Sequence, residues 1–178
     1  ISELAKFLST HPNVGIVGAD LRNPDNTHQY CFDLLPLPAL QILRQNLFGT
    51  SERFKKPSEQ TASESTASDP FEVGWVLGAA LMIRRSVLDQ IGLLDEHFFM
   101  YAEELDLCYR AKKNGWKVVH VPGACIMHLN GGSSQKSKQL QQKLFRMRQK
   151  SLEKFYRKHY GVASEQLLRL IHLKQRIF

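Results

Sequence analysis

Residues 71–134 decide the fold of this chain, and they read FEVGWVLGAALMIRRSVLDQIGLLDEHFFMYAEELDLCYRAKKNGWKVVHVPGACIMHLNGGSS. Within this stretch, Ala79–Ile83 are five consecutive apolar residues, a run that predicts a strand buried on both faces. Ser86 is predicted to cap a short helix, which Gly92 ends. The stretch therefore begins with a predicted strand that a helix follows directly.

A cluster of three acids follows the aromatic loop of residues 93–101. Glu103, Glu104 and Asp106 begin a predicted helix that ends at Asn114-Gly115. In one interpretation, the acids stabilise the helix start, because its dipole and free amides favour a carboxylate by about 0.3–1 kcal/mol each. In the other interpretation they belong to a functional site, for which the aromatic loop forms the floor or the lid.

A histidine stands at the end of the second of two predicted strands, Val118–Val121 and Ala124–His128. A turn of small residues, which begins at Gly131, follows the histidine. A single histidine after a strand is more often structural than a ligand, but small residues allow a ligand to approach the backbone closely. Spacing alone therefore leaves both roles of His128 open.

Taken in order, the strand, the acid pair, the helix and the histidine loop resemble the acceptor half of the family 2 inverting glycosyltransferases. The resemblance is strongest to the rhamnosyltransferase-like members that build bacterial surface polysaccharides, and it covers most of residues 1–134. It implies a GT-A-like α/β fold, in which helices flank a mixed sheet. It also implies an enzyme that moves a sugar, most commonly rhamnose, from a nucleoside-diphosphate sugar to a polysaccharide or lipid-linked glycan acceptor.

The same resemblance implies roles for individual residues. Glu104 stands where the family places its catalytic base, although the usual residue there is Asp, and Ala102 replaces a common Gly. Glu103 is expected to assist catalysis by orienting an acceptor hydroxyl, and His128 is expected to contribute to the metal and diphosphate site. The residues expected to bind substrates are Trp75, Gly78, Ala79, Asp106, Gly131, Gly132 and Ser133.

The resemblance further implies a divalent metal cofactor, Mg²⁺ or Mn²⁺, whose main ligands come from an Asp-x-Asp motif. In the family that motif directly precedes a helix, a strand and an Asn-Pro-Asp turn, which correspond here to Ile1–Ser9, Asn13–Gly18 and residues 23–25. Because no such motif precedes them, we expect the nucleotide-binding N-terminal half to be absent and the chain alone to be inactive.

Composition divides the chain into a domain at 1–134 and a tail at 135–178. Residues 55–70 are rich in Ser, Thr, Ala, Glu and Pro, which predicts a mobile loop. Before this loop, a surface helix is predicted from Pro38 onward. The tail contains twelve Lys or Arg and two Glu, a net charge of +10 against +7 for the whole chain, which leaves −3 for residues 1–134.

The tail is predicted to be helical, because apolar residues recur in it at helical spacing on both sides of a break at Gly161. A basic amphipathic helix can pack on its own domain or bind an anionic membrane surface. Nucleic acid is less favoured, because the tail has no recognisable reading motif. A non-catalytic interaction module, or a nucleic-acid-associated module with a basic tail, is the alternative to an enzyme.

The cysteines and the hydropathy of the chain bear on its location. Three cysteines without paired spacing indicate a reducing, cytoplasmic compartment, and two of them, Cys108 and Cys125, are interpreted as small buried residues. The sequence contains no run of 18 apolar residues, the length that a spanning helix needs. We therefore expect a cytoplasmic protein, with peripheral attachment to the inner face of the membrane through the tail.

Overall fold

The computed structural model of the protein describes residues 1–38, 69–129 and 137–177. These residues form two compact units: the first contains 1–35, 69–95 and 103–129, and the second contains 36–38, 96–102 and 137–177. The helices are α1 (Ser2–Thr10), α2 (Arg85–Ile91), α3 (Glu103–Lys113), α4 (Lys138–Tyr160) and α5 (Val162–Ile177). The strands are β1 (Val14–Arg22), β2 (Phe32–Asp33), β3 (Phe71–Glu72), β4 (Trp75–Val76), β5 (Leu81–Ile83) and β6 (Lys117–Met127).

The first unit is built on a four-stranded mixed sheet in the order β3-β6-β1-β5. The central strand β1 runs parallel to β6 and antiparallel to β5, and β3 is antiparallel to β6. Eight of the nine residues of β1 are buried, as a strand in the middle of a covered sheet requires. This mixed sheet with its flanking helices confirms the predicted α/β, GT-A-like fold class.

Apolar side chains of alternate residues pack on opposite faces of this sheet, because successive side chains of a strand point in opposite directions. On one face, Leu4 and Leu8 of α1 pack with Val17 of β1. On the other face, Ile16 of β1 packs with residues of α2 and α3, among them Leu107. Both faces of the sheet are thereby covered by helices.

Two strand predictions were wrong in detail. Residues Gly78–Ala80 form a single 3₁₀ turn, and β5 begins only at Leu81 and is half-buried, because it is the edge strand of the described sheet. The two strands predicted from Val118 to His128 form one strand, β6. The register of β6 against β1 shifts between Val121 and Cys125, so that a bulge accommodates residues 122–124, which include the gap predicted between the two strands.

The helix predictions were closer. Helix α1 is confirmed, and α2 ends at Gly92, whose φ of 80° is the conformation that favours glycine. The predicted cap by Ser86 was wrong, because α2 begins at Arg85 and its N-cap is Arg84, two residues before Ser86. Helix α3 begins at Glu103 as predicted, and Gly115 with a φ of 86° follows its end.

The second unit consists of the two tail helices and the short segments packed on them. Gly161, with a φ of 85°, separates α4 from α5 and confirms the predicted break. Glu153 of α4 accepts a hydrogen bond from Arg169 of α5 at 3.2 Å, and Phe155 and Tyr156 are fully buried. No described helix is both long enough and apolar enough to cross a membrane. The helix predicted from Pro38 and nearly all of the loop predicted at 55–70 lie outside the described residues.

Candidate active site

The acid cluster begins directly after an unusual piece of backbone. Tyr101 and Ala102 have φ values of 67° and 69°, in the left-handed region that residues with a side chain rarely adopt. Glycine takes this conformation without a steric cost, which accounts for the Gly that the family commonly has in place of Ala102. Strained backbone of this kind persists where the surrounding structure requires it, often at functional sites. It places the next two residues in the first turn of α3.

Glu104 lies against the small-residue turn that contains Gly78. A side-chain carbon added at Gly78 would be 3.8 Å from Cβ of Glu104 and 4.0 Å from its carboxyl carbon. Glu104 itself is 8% exposed, whereas Gly78 and Ala79 are exposed to solvent. The structure therefore places Glu104 next to Gly78, and both are residues that the sequence predicted for the site.

Glu103 precedes this residue and has a distinctive carboxylate. Its Oε2 atom is buried and has no hydrogen-bond partner within the part of the chain that the structure describes. A buried polar atom without a partner costs about 1–3 kcal/mol, and native proteins contain few of them. The atom can accept a hydrogen bond from a hydroxyl group that approaches the start of α3.

Asp106 is held differently, because its side chain has no exposed surface. It accepts a hydrogen bond at 2.8 Å from Nε of Arg110, whose guanidinium also donates to the carbonyl oxygens of Ile91 and Leu93. This network ties the end of α2 and the chain that follows it to α3. The substrate contact predicted for Asp106 stays a prediction, and the geometry favours a structural role.

Trp75 lies in β4, where it pairs with Asp33 of β2. Its ring is half-buried, and it packs on the apolar cluster of the α2 and α3 face. Tyr30 meets the ring edge-on, with 6.0 Å between the ring centroids. The role predicted for Trp75, as an apolar platform for a sugar, stays a prediction.

His128 follows β6 and is fixed by Gln29. The Nδ1 atom of His128 is 2.9 Å from Oε1 of Gln29, and Nε2 of Gln29 donates to the backbone oxygen of His128 at 2.5 Å. An amide oxygen only accepts hydrogen bonds, so Nδ1 must carry a proton, and a neutral ring then has its lone pair on Nε2. Gln29 was not predicted from the sequence, because 99 residues separate it from His128.

The described residues do not gather a set of Mg²⁺ or Mn²⁺ ligands around His128. Hard cations of this class prefer several oxygen ligands. Among the described residues, the one group of three potential ligands lies elsewhere and does not include His128. We therefore assign no chemical step to this metal, and both the cofactor and the metal role of His128 stay predictions. Gly131, Gly132 and Ser133 lie outside the described residues.

The cysteines divide between the interior and the surface. Cys108 is buried as predicted, and burial raises the pKa of its thiol to about 12. The interpretation of Cys125 as buried was wrong, because Ala124 faces the core and the next residue of the strand points to solvent. Cys31 is also buried.

Comparison with known proteins places these features in a family. The family model described as "Glycosyltransferase like family 2" matches residues 1–148. An N-acetylglucosaminyl-diphospho-decaprenol L-rhamnosyltransferase of Mycobacterium tuberculosis is 33% identical over 131 residues, which are 72% of this chain and 41% of that protein. Rhamnosyltransferase WbbL of Escherichia coli is 34% identical over 65 residues, which are 36% of this chain and 24% of that protein.

A third relative comes from an archaeon. The low-salt glycan biosynthesis hexosyltransferase Agl10 of Haloferax volcanii is 56% identical over 36 residues, 20% of this chain and 12% of that protein. The chain thus spans 41% or less of the length of each of these relatives. Because the family match covers most of the chain, and the acid pair, helix and histidine occur within it in the expected order, this chain belongs to the glycosyltransferase-like family 2.

Proposed function

We propose that this protein takes part in transferring a sugar from a nucleoside-diphosphate sugar to a glycan or lipid-linked acceptor, with inversion at the anomeric carbon. Membership of glycosyltransferase-like family 2 supports sugar transfer as the reaction. Two relatives are named rhamnosyltransferases, which supports rhamnose as the sugar. The name of the mycobacterial relative contains a decaprenol-linked diphosphate sugar, which supports a lipid-linked acceptor.

The chemistry of this reaction requires a base close to the acceptor. An alcohol is a poor nucleophile, so a carboxylate takes its proton while the oxygen attacks the anomeric carbon. The bond from that carbon to the diphosphate breaks at the same time, and the diphosphate leaves on the opposite face. In this proposal Glu104 is the base, and the observation that carries it is the position of its carboxylate against the exposed Gly78.

Glu103 has a separate role in the proposal. Its buried, unpartnered Oε2 accepts a hydrogen bond from an acceptor hydroxyl and thereby orients the acceptor. A positioned hydroxyl reacts faster than a free one, because the entropy of alignment has already been lost on binding. The two adjacent glutamates therefore divide proton transfer and orientation between them.

Substitution of Glu104 in an active preparation that contains this chain tests the proposal. Glu104→Gln keeps the size of the side chain but cannot take a proton, so transfer should fall by about 10²–10⁴-fold while donor affinity stays nearly unchanged. Glu104→Asp should retain most activity, because the family usually has Asp at this position. Glu103→Gln is the matched control and should cost less, because an amide oxygen still accepts a hydrogen bond. A Glu104→Gln preparation within a few-fold of the unmodified protein would refute the assignment.

We also propose that the tail helices bind the inner, anionic face of a membrane. Helix α4 exposes Lys143, Arg146 and Lys150, and the spacing of these three cations by three and four residues places them on one side of the helix, which they share with the half-buried Met147. An apolar side chain among several cations suits the boundary between lipid headgroups and acyl chains. Attachment of this kind would hold the enzyme near a lipid-linked acceptor.

Sedimentation with vesicles tests this attachment. Replacing Lys143, Arg146 and Lys150 by Glu should abolish most binding to vesicles with anionic lipid, because each cation near such a surface contributes about 1 kcal/mol. Lys6→Glu, an exposed change in α1 of the other unit, serves as the control and should leave binding largely unchanged. Equal sedimentation of the triple variant and the control would contradict the proposal.

A further inference from the structure

Three potential metal ligands that the proposed sugar transfer does not use meet inside the first unit. One ligand atom from each of Asp20, Cys31 and His120 lies within 4.8 Å of the other two. The relative exposures of the three residues are 4%, 3% and 3%. A carboxylate, a thiol and an imidazole buried together need a physical explanation, because burial disfavours each of these polar groups without a partner.

The fold brings the three groups together from separate parts of the chain. After β1 the chain turns back, and the backbone N–H of Gln29 donates to the oxygen of Leu21 at 2.8 Å, which places Cys31 beside the end of β1. Strand β6 lies parallel to β1 with His120 opposite Gly18. The cluster therefore joins β1, the returning segment and β6.

The imidazole of His120 has an unfilled hydrogen-bonding position. Its Nδ1 atom is buried and has no hydrogen-bond partner among the residues that the structure describes. The ring also lies near Phe32 and Phe71, with centroids 4.4 and 5.2 Å away. Burial lowers the pKa of His120 to about 4, so the ring is neutral near pH 7 and has a lone pair available for a ligand.

The carboxylate of Asp20 is already oriented by its neighbours. Its Oδ2 accepts a hydrogen bond from Nε of Arg22 at 2.9 Å, and its Oδ1 is 3.0 Å from Nδ1 of His28. Each carboxylate oxygen has a second lone pair, so these bonds leave room for coordination. Hydrogen bonds of this kind hold metal-bound carboxylates in place in known metal sites.

The thiol of Cys31 also requires a cation in order to ionise. Burial raises the pKa of Cys31 to about 11, so the thiol keeps its proton near pH 7 when no cation is present. A metal ion displaces that proton to solvent and binds the thiolate. A divalent ion with one thiolate, one carboxylate and one neutral imidazole carries no net charge, which suits a buried position.

We propose that Asp20, Cys31 and His120 bind a zinc-type transition-metal ion, which holds β1, the returning segment and β6 together. Sulfur, nitrogen and single-oxygen ligands suit Zn²⁺, whereas Mg²⁺ and Ca²⁺ prefer oxygen alone. Bonds of about 2.0–2.3 Å in a tetrahedral site place ligand atoms about 3.3–3.8 Å apart. The three side chains therefore close by about 1 Å around the ion, and a water completes the four-coordinate site.

The ion would have a structural effect next to the candidate active site. The backbone oxygen of Cys31 accepts a hydrogen bond from the N–H of Leu77 at 2.7 Å. Leu77 precedes Gly78, the residue against which Glu104 lies. Metal binding at Cys31 thus stiffens the segment beside the proposed base without contacting the substrates. This proposal does not depend on the identity of the sugar or of the acceptor.

Titration of the tag-free, metal-free full chain with Co²⁺ and Zn²⁺ tests the proposal. Co²⁺ should bind with one equivalent per chain and produce a thiolate-to-cobalt charge-transfer band. Cys31→Ala should remove this band, whereas Cys125→Ala, which alters an exposed cysteine, should retain it. Zn²⁺ should displace Co²⁺ and raise the melting temperature of the chain, because it binds the folded state, and Mg²⁺ should do neither.

A second variant keeps the test decisive if Cys31→Ala fails to fold. His120→Phe removes the ring nitrogens but suits the aromatic surroundings, and far-ultraviolet circular dichroism verifies its fold. It should weaken Zn²⁺ binding by more than the 10–100-fold that loss of an outer-shell partner costs. The absence of a charge-transfer band in the unmodified chain, or unchanged Zn²⁺ affinity in folded His120→Phe, would overturn the proposal.

Discussion

The buried ion pair between Asp106 and Arg110 gives the sharpest prediction about stability. Removing one partner of a buried pair costs about 3–5 kcal/mol, because it leaves the other charge uncompensated. Asp106→Asn keeps an oxygen that can accept the bond from Arg110, and Arg110 keeps its bonds to the carbonyls of Ile91 and Leu93. We therefore expect a smaller loss of about 2–3 kcal/mol in the free energy of unfolding, within the range for hydrogen bonds to charged groups.

The chain offers a matched control for this substitution. Arg85 and Asp89 in α2 form a pair with the same 2.8 Å distance and the same spacing of four residues, but their side chains are 87% and 58% exposed. The side chains of Arg110 and Asp106 are 18% and 0% exposed. Because exposed pairs contribute little, Asp89→Asn should cost under about 0.5 kcal/mol. The two substitutions thus differ chiefly in burial.

Urea denaturation followed by circular dichroism measures both effects. A lower midpoint with an unchanged slope shows that stability has changed and that the denatured state has not. For a chain of 178 residues, each kcal/mol corresponds to about 2–4 °C in the melting temperature, so a thermal scan gives an independent value. If Asp106→Asn lowers the free energy of unfolding no more than Asp89→Asn does, burial does not strengthen the Asp106–Arg110 pair. That result would refute the reasoning.

Two further predictions concern backbone strain and a buried phenol. Ala102→Gly should raise the free energy of unfolding by up to about 1 kcal/mol, because glycine adopts the φ of 69° without strain. A denaturation midpoint below that of the unmodified chain would contradict this prediction. Tyr156→Phe should lower the free energy of unfolding by about 0.5–1.5 kcal/mol, because it removes the hydrogen bond that the phenol donates to the backbone oxygen of Leu37. An unchanged melting temperature in a thermal scan would contradict this prediction. Burial raises the pKa of Tyr156 above its ordinary 10.0, so the phenol stays protonated in the folded chain at pH values where it ionises in the unfolded one. The stability that this difference contributes is complete below about pH 10, declines as the pH rises further, and is absent from the Phe variant.

Local patterns predicted the helices well and the strands less well. Helix α3 was recognised because its acidic first turn and the glycine shortly after its end are local signals in the sequence. The strand at Leu81 was predicted to be longer and more buried, because an apolar run reveals neither its neighbours in the sheet nor their absence. The break predicted at Pro122-Gly123 failed for the same reason, since pairing with β1 continues on both sides of the bulge.

The candidate site divides in a similar way. The acid pair and Gly78 were recognised as site residues through resemblance to a family. The short distance between Glu104 and Gly78 follows only from the tertiary packing of the first unit. From the sequence, Glu103 and Asp106 are both acids in the first turn of one predicted helix. The structure separates them, because Oε2 of Glu103 has no hydrogen-bond partner among the described residues, whereas the carboxylate of Asp106 is paired with Arg110.

By itself, the sequence determined the class of fold, the family and the position of the acids at a helix start, because each of these depends on neighbouring residues. The tertiary structure alone decided which groups from distant segments meet. It paired His128 with Gln29 and gathered Asp20, Cys31 and His120 into one buried cluster. The physical reason is that strand pairing and burial act between residues more than 100 positions apart, such as Val14 and Lys117, and no local period records such contacts.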